Sequence, residues 1–222
     1  MAGDISGIQF KTFMLASEEM PPGNSFRKEL PAVTLNNLRD SAGLLLTGAT
    51  TPSISVSSNQ LIATFGTSNP TGVLQFTVPR EYDHIKKVSP KSRDLLIQVT
   101  AAMSGSADTP TLTVTAVAQP GAGGAVKTGY TAATVNPSSS GTATAHVVSG
   151  TTQANYVFDL GECLSSAGVP IMAGDDVTLT FTTSAHGSNT MIVSKISGCA
   201  DLQPNFTHKT ARNSLEGDEQ PS

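Results

Sequence analysis

Charge is scarce in this sequence, and so are aromatic rings. Of the 222 residues only 14% are charged and 5% aromatic, and tryptophan is absent. Long helices draw on Leu, Glu, Lys and Arg, so the composition argues against a helical bundle, a coiled coil or an α/β barrel. No apolar run approaches the roughly 18 residues of a spanning helix, and no membrane partner is expected. The net charge of −4 gives no basic footprint, so no nucleic-acid partner is expected either. The first residues, Met1-Ala2-Gly3-Asp4-Ile5-Ser6, show neither the basic nor the apolar region of a signal peptide. Cytoplasmic synthesis is therefore expected. In a reducing compartment Cys163 and Cys199 read as two free thiols rather than a disulfide.

Hydroxyl side chains take the place of charge. Thr (28) and Ser (25) make up about a quarter of the chain, with 20 Gly and 13 Pro besides. Thr111 to Val117 alternates strictly, with Leu112, Val114 and Ala116 facing one way and three threonines the other. Asp176 to Thr182 repeats the pattern with Val177, Leu179 and Phe181. Period-two alternation over seven residues predicts half-buried strands. Further strands are predicted at Gln60–Phe65, Gly72–Val78, Leu95–Met103, Thr142–Ser149, Ala154–Leu160 and Met191–Ile196. Turn formers such as Ser68-Asn69-Pro70 and His186-Gly187-Ser188-Asn189 separate them. Eight antiparallel strands predict an all-β sandwich of jelly-roll type.

The ends differ from this body. Between Asp94 and Ser194 the sole basic side chain is Lys127, and the other twelve lie outside that span. Residues 1–50 lack clean alternation, and Pro21-Pro22-Gly23-Asn24 interrupts them; Asn36–Leu46 reads as a short helix or an irregular stretch. The tail from Asp201 is sparse in apolar residues and ends in the acidic run Glu216–Glu219. The reading is thus an N-terminal arm (1–50), a sandwich body (51–200) and a C-terminal arm (201–222).

Catalytic patterns are hard to find. No Gly-x-Ser-x-Gly elbow occurs. His84, His146, His186 and His208 lie far apart, without zinc spacing. Asp175 and Asp176 are adjacent on a strand, so they point to opposite faces and do not by themselves form an acid–base pair. Gly174-Asp175-Asp176 reads first as a turn in which Asp caps the backbone. A Ca²⁺ site from Asp159, Glu162 and Asp175 is the lesser alternative. The basic cluster Lys86, Lys87, Lys91 and Arg93 suits either a solvated loop or an acidic partner surface. No enzyme, cofactor or resident metal is expected.

The stretch Val169-Pro170-Ile171-Met172-Ala173-Gly174-Asp175-Asp176-Val177-Thr178-Leu179-Thr180, followed by Met191–Ile196 in the place of a final strand, resembles the turn into a strand of tailed-phage jelly-roll decoration and fibre domains. The resemblance covers about thirty residues. It implies a capsid decoration (cement) protein on the virion surface, made in the host cytoplasm. Its partners would be the major capsid protein and itself, as a homo-oligomer and possibly a trimer. Phe10, Phe13, Phe26, Leu202 and Phe206 are the anchors expected to carry the arms into neighbouring subunits. The alternative is a carbohydrate- or receptor-binding module of a tail fibre or spike. Such modules usually expose aromatic platforms, and this body offers just Tyr82, Tyr130 and Tyr156.

Overall fold

The computed structural model describes residues 26–80, 82, 95–135, 143–161 and 163–202. Among these residues twelve strands run in chain order: β1 (Phe26–Glu29), β2 (Ser53–Ser57), β3 (Gln60–Phe65), β4 (Thr71–Thr77), β5 (Leu95–Met103), β6 (Thr111–Gln119), β7 (Lys127–Thr131), β8 (Ala133–Val135), β9 (Ala145–Val147), β10 (Ala154–Asp159), β11 (Asp176–Thr183) and β12 (Met191–Leu202). Among the described residues there is no α-helix, only a single 3₁₀ turn at Leu35–Asn37.

The strands form two antiparallel sheets. The larger has the order β2-β3-β12-β5-β10-β8, with β1 also paired to β12; the smaller has β4-β11-β6-β7, with β9 also paired to β6. Removing β1, β2, β8 and β9 leaves β3-β12-β5-β10 facing β4-β11-β6-β7. Strands consecutive in sequence then fall mostly in opposite sheets, which is the jelly-roll arrangement. Alternation explains the layering. In β11, Val177, Leu179, Phe181 and Thr183 are buried while Thr178, Thr180 and Thr182 are partly exposed. In β6, Leu112, Val114, Ala116 and Ala118 face the same core. Phe65, Leu74, Ile97, Tyr130 and Phe158 fill the space between the sheets.

All eight predicted strands are present, with ends shifted by a few residues. The strand predicted over Thr142–Ser149 shortens to Ala145–Val147, and the Val148 amide bonds instead to the Pro110 carbonyl at 2.8 Å. The body does not begin at residue 51. Leu30, Val33, Leu35, Leu38 and Leu46 are all buried in the core, and β1 is a strand of the larger sheet. The segment from 26 to 50 therefore belongs to the sandwich. Its apolar residues follow no period because a loop crossing the sheet edge meets the core at irregular intervals. Arg39 exchanges two backbone hydrogen bonds with Val73, which covers the outer edge of β4. At the other end, β12 runs past the expected boundary as far as Leu202.

Candidate functional site

The outer face of the larger sheet carries the candidate site. Alternation in β5 sends Leu95, Ile97, Val99, Ala101 and Met103 into the core. Leu96, Gln98, Thr100 and Ala102 therefore face outward. The strand register then sets rungs of side chains across the sheet. Glu29, Cys199, Leu96 and Asp159 form one rung over β1, β12, β5 and β10. Ser197, Gln98, Val157 and Val135 form the next, over β12, β5, β10 and β8. Lys195, Thr100 and Asn155 form a third, in which the Thr100 hydroxyl donates to Asn155 Oδ1 at 2.8 Å.

A groove of about 460 Å³ lies over these rungs, lined by Glu29, Leu96, Gln98, Val135, Val157, Lys195, Ser197, Gly198 and Cys199. Its lining combines aliphatic surface with an amide, a hydroxyl, an ammonium and a carboxylate. A register shift in β12 between Val193 and Lys195 re-aims this strand and sets Lys195 opposite Thr100. Gly198 has a structural part here. A Cβ at that position would stand 3.0 Å from the Val33 side chain, so the glycine lets the 30–33 segment pack closely behind the groove. Among the described residues no aromatic ring lines the groove. Tyr82, Tyr130 and Tyr156 are all buried, and the Tyr130 hydroxyl donates to the Val169 carbonyl at 2.9 Å. Burial pushes the Tyr130 and Tyr156 phenols above their ordinary value. A second groove of about 390 Å³ lies between residues 29–32 and 76–80.

The polar clusters read from the sequence do structural work. Asp175 is buried; one of its carboxylate oxygens accepts from Lys127 Nζ at 2.6 Å and from the Met172 amide at 2.8 Å. It closes the turn into β11 and ties that turn to β7. Asp176 points the other way, exposed, and accepts from the Thr77 hydroxyl at 2.5 Å. Asp159 accepts from the Gly161 amide at 2.8 Å. Glu162 and the cluster Lys86, Lys87, Lys91 and Arg93 lie outside the described residues. Among the described residues no three His, Cys, Asp or Glu side chains gather as metal ligands. His146 bonds through Nε2 to the Val157 carbonyl at 2.7 Å and lies edge-on to Phe158, where it bridges the margins of the two sheets. A carbonyl accepts only, so Nε2 carries the proton. Asp108, which the sequence did not single out, accepts from the Gly187 amide and from both the amide and side chain of Asn189 at 2.8–3.1 Å. The Asn189 amide foremost holds its carboxyl below the ordinary 3.8.

Two of the five expected arm anchors fall within the described residues. Phe26 and Leu202 are register partners in the β1–β12 pair, so the two ends of the sandwich meet each other. Phe10, Phe13 and Phe206 lie outside the described residues. Gln98, Ser197, Lys195 and Glu29 were not proposed from the sequence. Their signal was the polar half of each alternating strand, which becomes a site only once register places the strands side by side.

No protein-family model and no curated protein sequence matches this chain. Among solved structures it is similar to the xylan-binding module CBM15, with 12% identity and a TM-score of 0.44 over 82% of this chain and all of that one. It is also similar to the CBM22-1 xylan-binding domain of Paenibacillus barcinonensis Xyn10C, with 12% identity and a TM-score of 0.41 over 82% of this chain and 97% of that one. A third likeness is to the enzymatically active domain of tailspike protein 4 of bacteriophage CBA120, with 14% identity and a TM-score of 0.30 over 79% of this chain and 19% of that one. At these identities the likeness is one of fold alone. These three are two carbohydrate-binding modules and a tailspike domain, not capsid decoration proteins, and the expectation of a cement protein that bridges capsid subunits is corrected accordingly. The physical reason lies in the motif that suggested it. Ala173-Gly174-Asp175-Asp176 seats a buried carboxylate that closes a turn, a need common to many sandwiches whatever they bind.

Proposed function

We propose that this protein is a non-catalytic binding module that holds an extended, neutral saccharide along the groove of the larger sheet, and so attaches to a glycan-bearing surface. The observation that carries this reading is the groove over the Ser197–Gln98–Val157–Val135 rung. A saccharide offers hydroxyls that both donate and accept, and aliphatic C–H surface between them. Gln98 supplies an amide with both functions, and Ser197 supplies a hydroxyl. Leu96, Val135 and Val157 supply apolar surface. The ammonium of Lys195 and the carboxylate of Glu29 add charge-assisted hydrogen bonds to sugar hydroxyls. With no ring among the described lining residues, recognition rests on hydrogen bonds from these side chains rather than stacking.

The test is a titration of the full chain with xylohexaose, the β-1,3-1,4-mixed-linked tetrasaccharide and a wider glycan panel, followed by calorimetry. The expected result is binding to at least one neutral saccharide, weakened about tenfold by Gln98→Ala at unchanged thermal stability, the loss of one or two hydrogen bonds. Failure to bind any member of the panel, or full affinity in Gln98→Ala and Ser197→Ala alike, would overturn the reading.

A further inference from the structure

We propose that the free edge of β2 is a self-association surface, on which a second copy of this chain pairs its own β2 antiparallel about a two-fold axis at Val56. This does not depend on the saccharide reading.

Among the described residues the edge is covered at Ile54 by Thr47 and open at Val56, and its donors can be assigned. Ser58 and Asn59, at φ of 50° and 62°, make a two-residue turn that joins β2 to β3, with Ser57 opposite Gln60. In such a hairpin Ser57, Ser55 and Ser53 exchange hydrogen bonds with β3, while the backbone groups of Ile54 and Val56 point away from it. The Ile54 amide confirms the phase, because it donates outward to the Thr47 carbonyl at 3.1 Å. The Val56 amide and carbonyl remain on the edge, and no other described element supplies them a backbone partner. The Val56 side chain is 70% exposed. Leu44 and Leu45 are also exposed, on the loop that leads from the β4 edge to β2.

Edge strands in stable monomers usually carry a charge, a proline or a bulge to repel pairing. This one has none within its five residues, Ser-Ile-Ser-Val-Ser. The absence extends further: no Asp, Glu, Lys, Arg or His occurs between Ser41 and Pro79, although both sheets contribute strands from this stretch. The charges just before it are engaged locally. Asp40 accepts from the Ala42 and Leu44 amides, and Arg39 donates to the Asn36 and Leu38 carbonyls.

Two features point to a second copy as the occupant. A two-fold contact sets each residue near the axis against its own copy, so any charge there would repel itself, and a charge-free surface avoids this. Val56 also presents one donor and one acceptor on a single residue. Across a two-fold, the amide of each Val56 donates to the carbonyl of the other, and both are satisfied. Ser55 of one copy then lies opposite Ser57 of the other in the closely spaced, non-hydrogen-bonded position.

The experiment is sedimentation equilibrium on the full chain, with Val56→Lys as the first variant. The wild type is expected to be a dimer at micromolar concentration. Val56→Lys is expected to raise the dissociation constant at least about tenfold, since it sets like charges directly opposite, with circular dichroism and melting temperature unchanged. If that variant misfolds, the register is read directly in a second way. A mixture of Ser55→Cys and Ser57→Cys chains, oxidised and mapped by mass spectrometry, should form the 55–57 cross-link in preference to 55–55 or 57–57. A monomeric wild type, a trimer, a dimer unaffected by Val56→Lys, or cross-linking without the 55–57 preference would each overturn the proposal. A monomer that captures an unrelated extended peptide on this edge would do so as well.

Discussion

Two carboxylates show how differently one side chain behaves in two places. Asp175 is buried beside Lys127, whose side chain is only 15% exposed, and breaking such a pair strands a charge. Lys127→Met is expected to destabilise the protein by about 3 kcal/mol in chemical denaturation, whereas a loss below about 1 kcal/mol would mean that water reaches Asp175. Asp108 instead clamps two loops at one end of the sandwich. A Cβ on Gly187 would run into its carboxylate, and one on Gly105 would run into Asn189, so both glycines permit the clamp. Because the folded pKa of Asp108 is depressed, its stabilising effect is present above its ordinary 3.8 and is lost as pH falls through the lowered value. Asp108→Asn should therefore melt earlier than wild type at pH 7 and together with it at the acid limit. A gap in melting temperature that stays constant across the titration would rule out the charge as the cause.

At the scale of elements, the segment from 30 to 46 contributes as a strand would, without being one. Leu30, Val33, Leu35, Leu38 and Leu46 are buried, each worth about 1.5–3 kcal/mol, or roughly 10 together. Stabilities of whole domains fall at about 5–15 kcal/mol. A chain beginning at residue 51 is thus expected to be unfolded or molten, with a weak near-ultraviolet signal and no cooperative melt. A cooperative melt close to that of the full chain would show that the segment is dispensable. β7 illustrates the reverse case, a real strand with a poor signature. Gly129 at φ 88° and a register shift opposite Ala116–Ala118 break its alternation. A Cβ at Gly129 would also collide with Ser166, so close approach and backbone conformation both call for glycine.

For the molecule as a whole, the jelly-roll connectivity sets the order of stability. β12 and β5 lie inside the larger sheet and β11 inside the smaller, whereas β2 and β8 are terminal. Hydrogen exchange is expected to be slowest in β5, β11 and the Met191–Ala200 part of β12, and fast in β8. Protection of β2 should rise with protein concentration if its edge pairs with a second copy. Equal exchange in central and edge strands would show that the sandwich opens only globally.

The sequence by itself determined the all-β class and the two-layer architecture, because alternation in β6 and β11 is a local property that a single face of core imposes on each strand. It also favoured the role of Asp175 as a turn residue over a Ca²⁺ ligand, since Gly174-Asp175 carries its hydrogen-bonding logic within a few positions. Tertiary structure alone decided the rest. Gln98, Ser197 and Val157 are about 100 positions apart at the extremes and become neighbours only through strand register, which no local pattern encodes. Leu30 and Leu38 join the core because a loop happens to cross an open sheet edge, and loop burial has no period to detect. The inner bounds drawn for the two arms met the same limit: Phe26 and Leu202 look like loose ends along the chain, yet they are partners once β1 and β12 lie side by side.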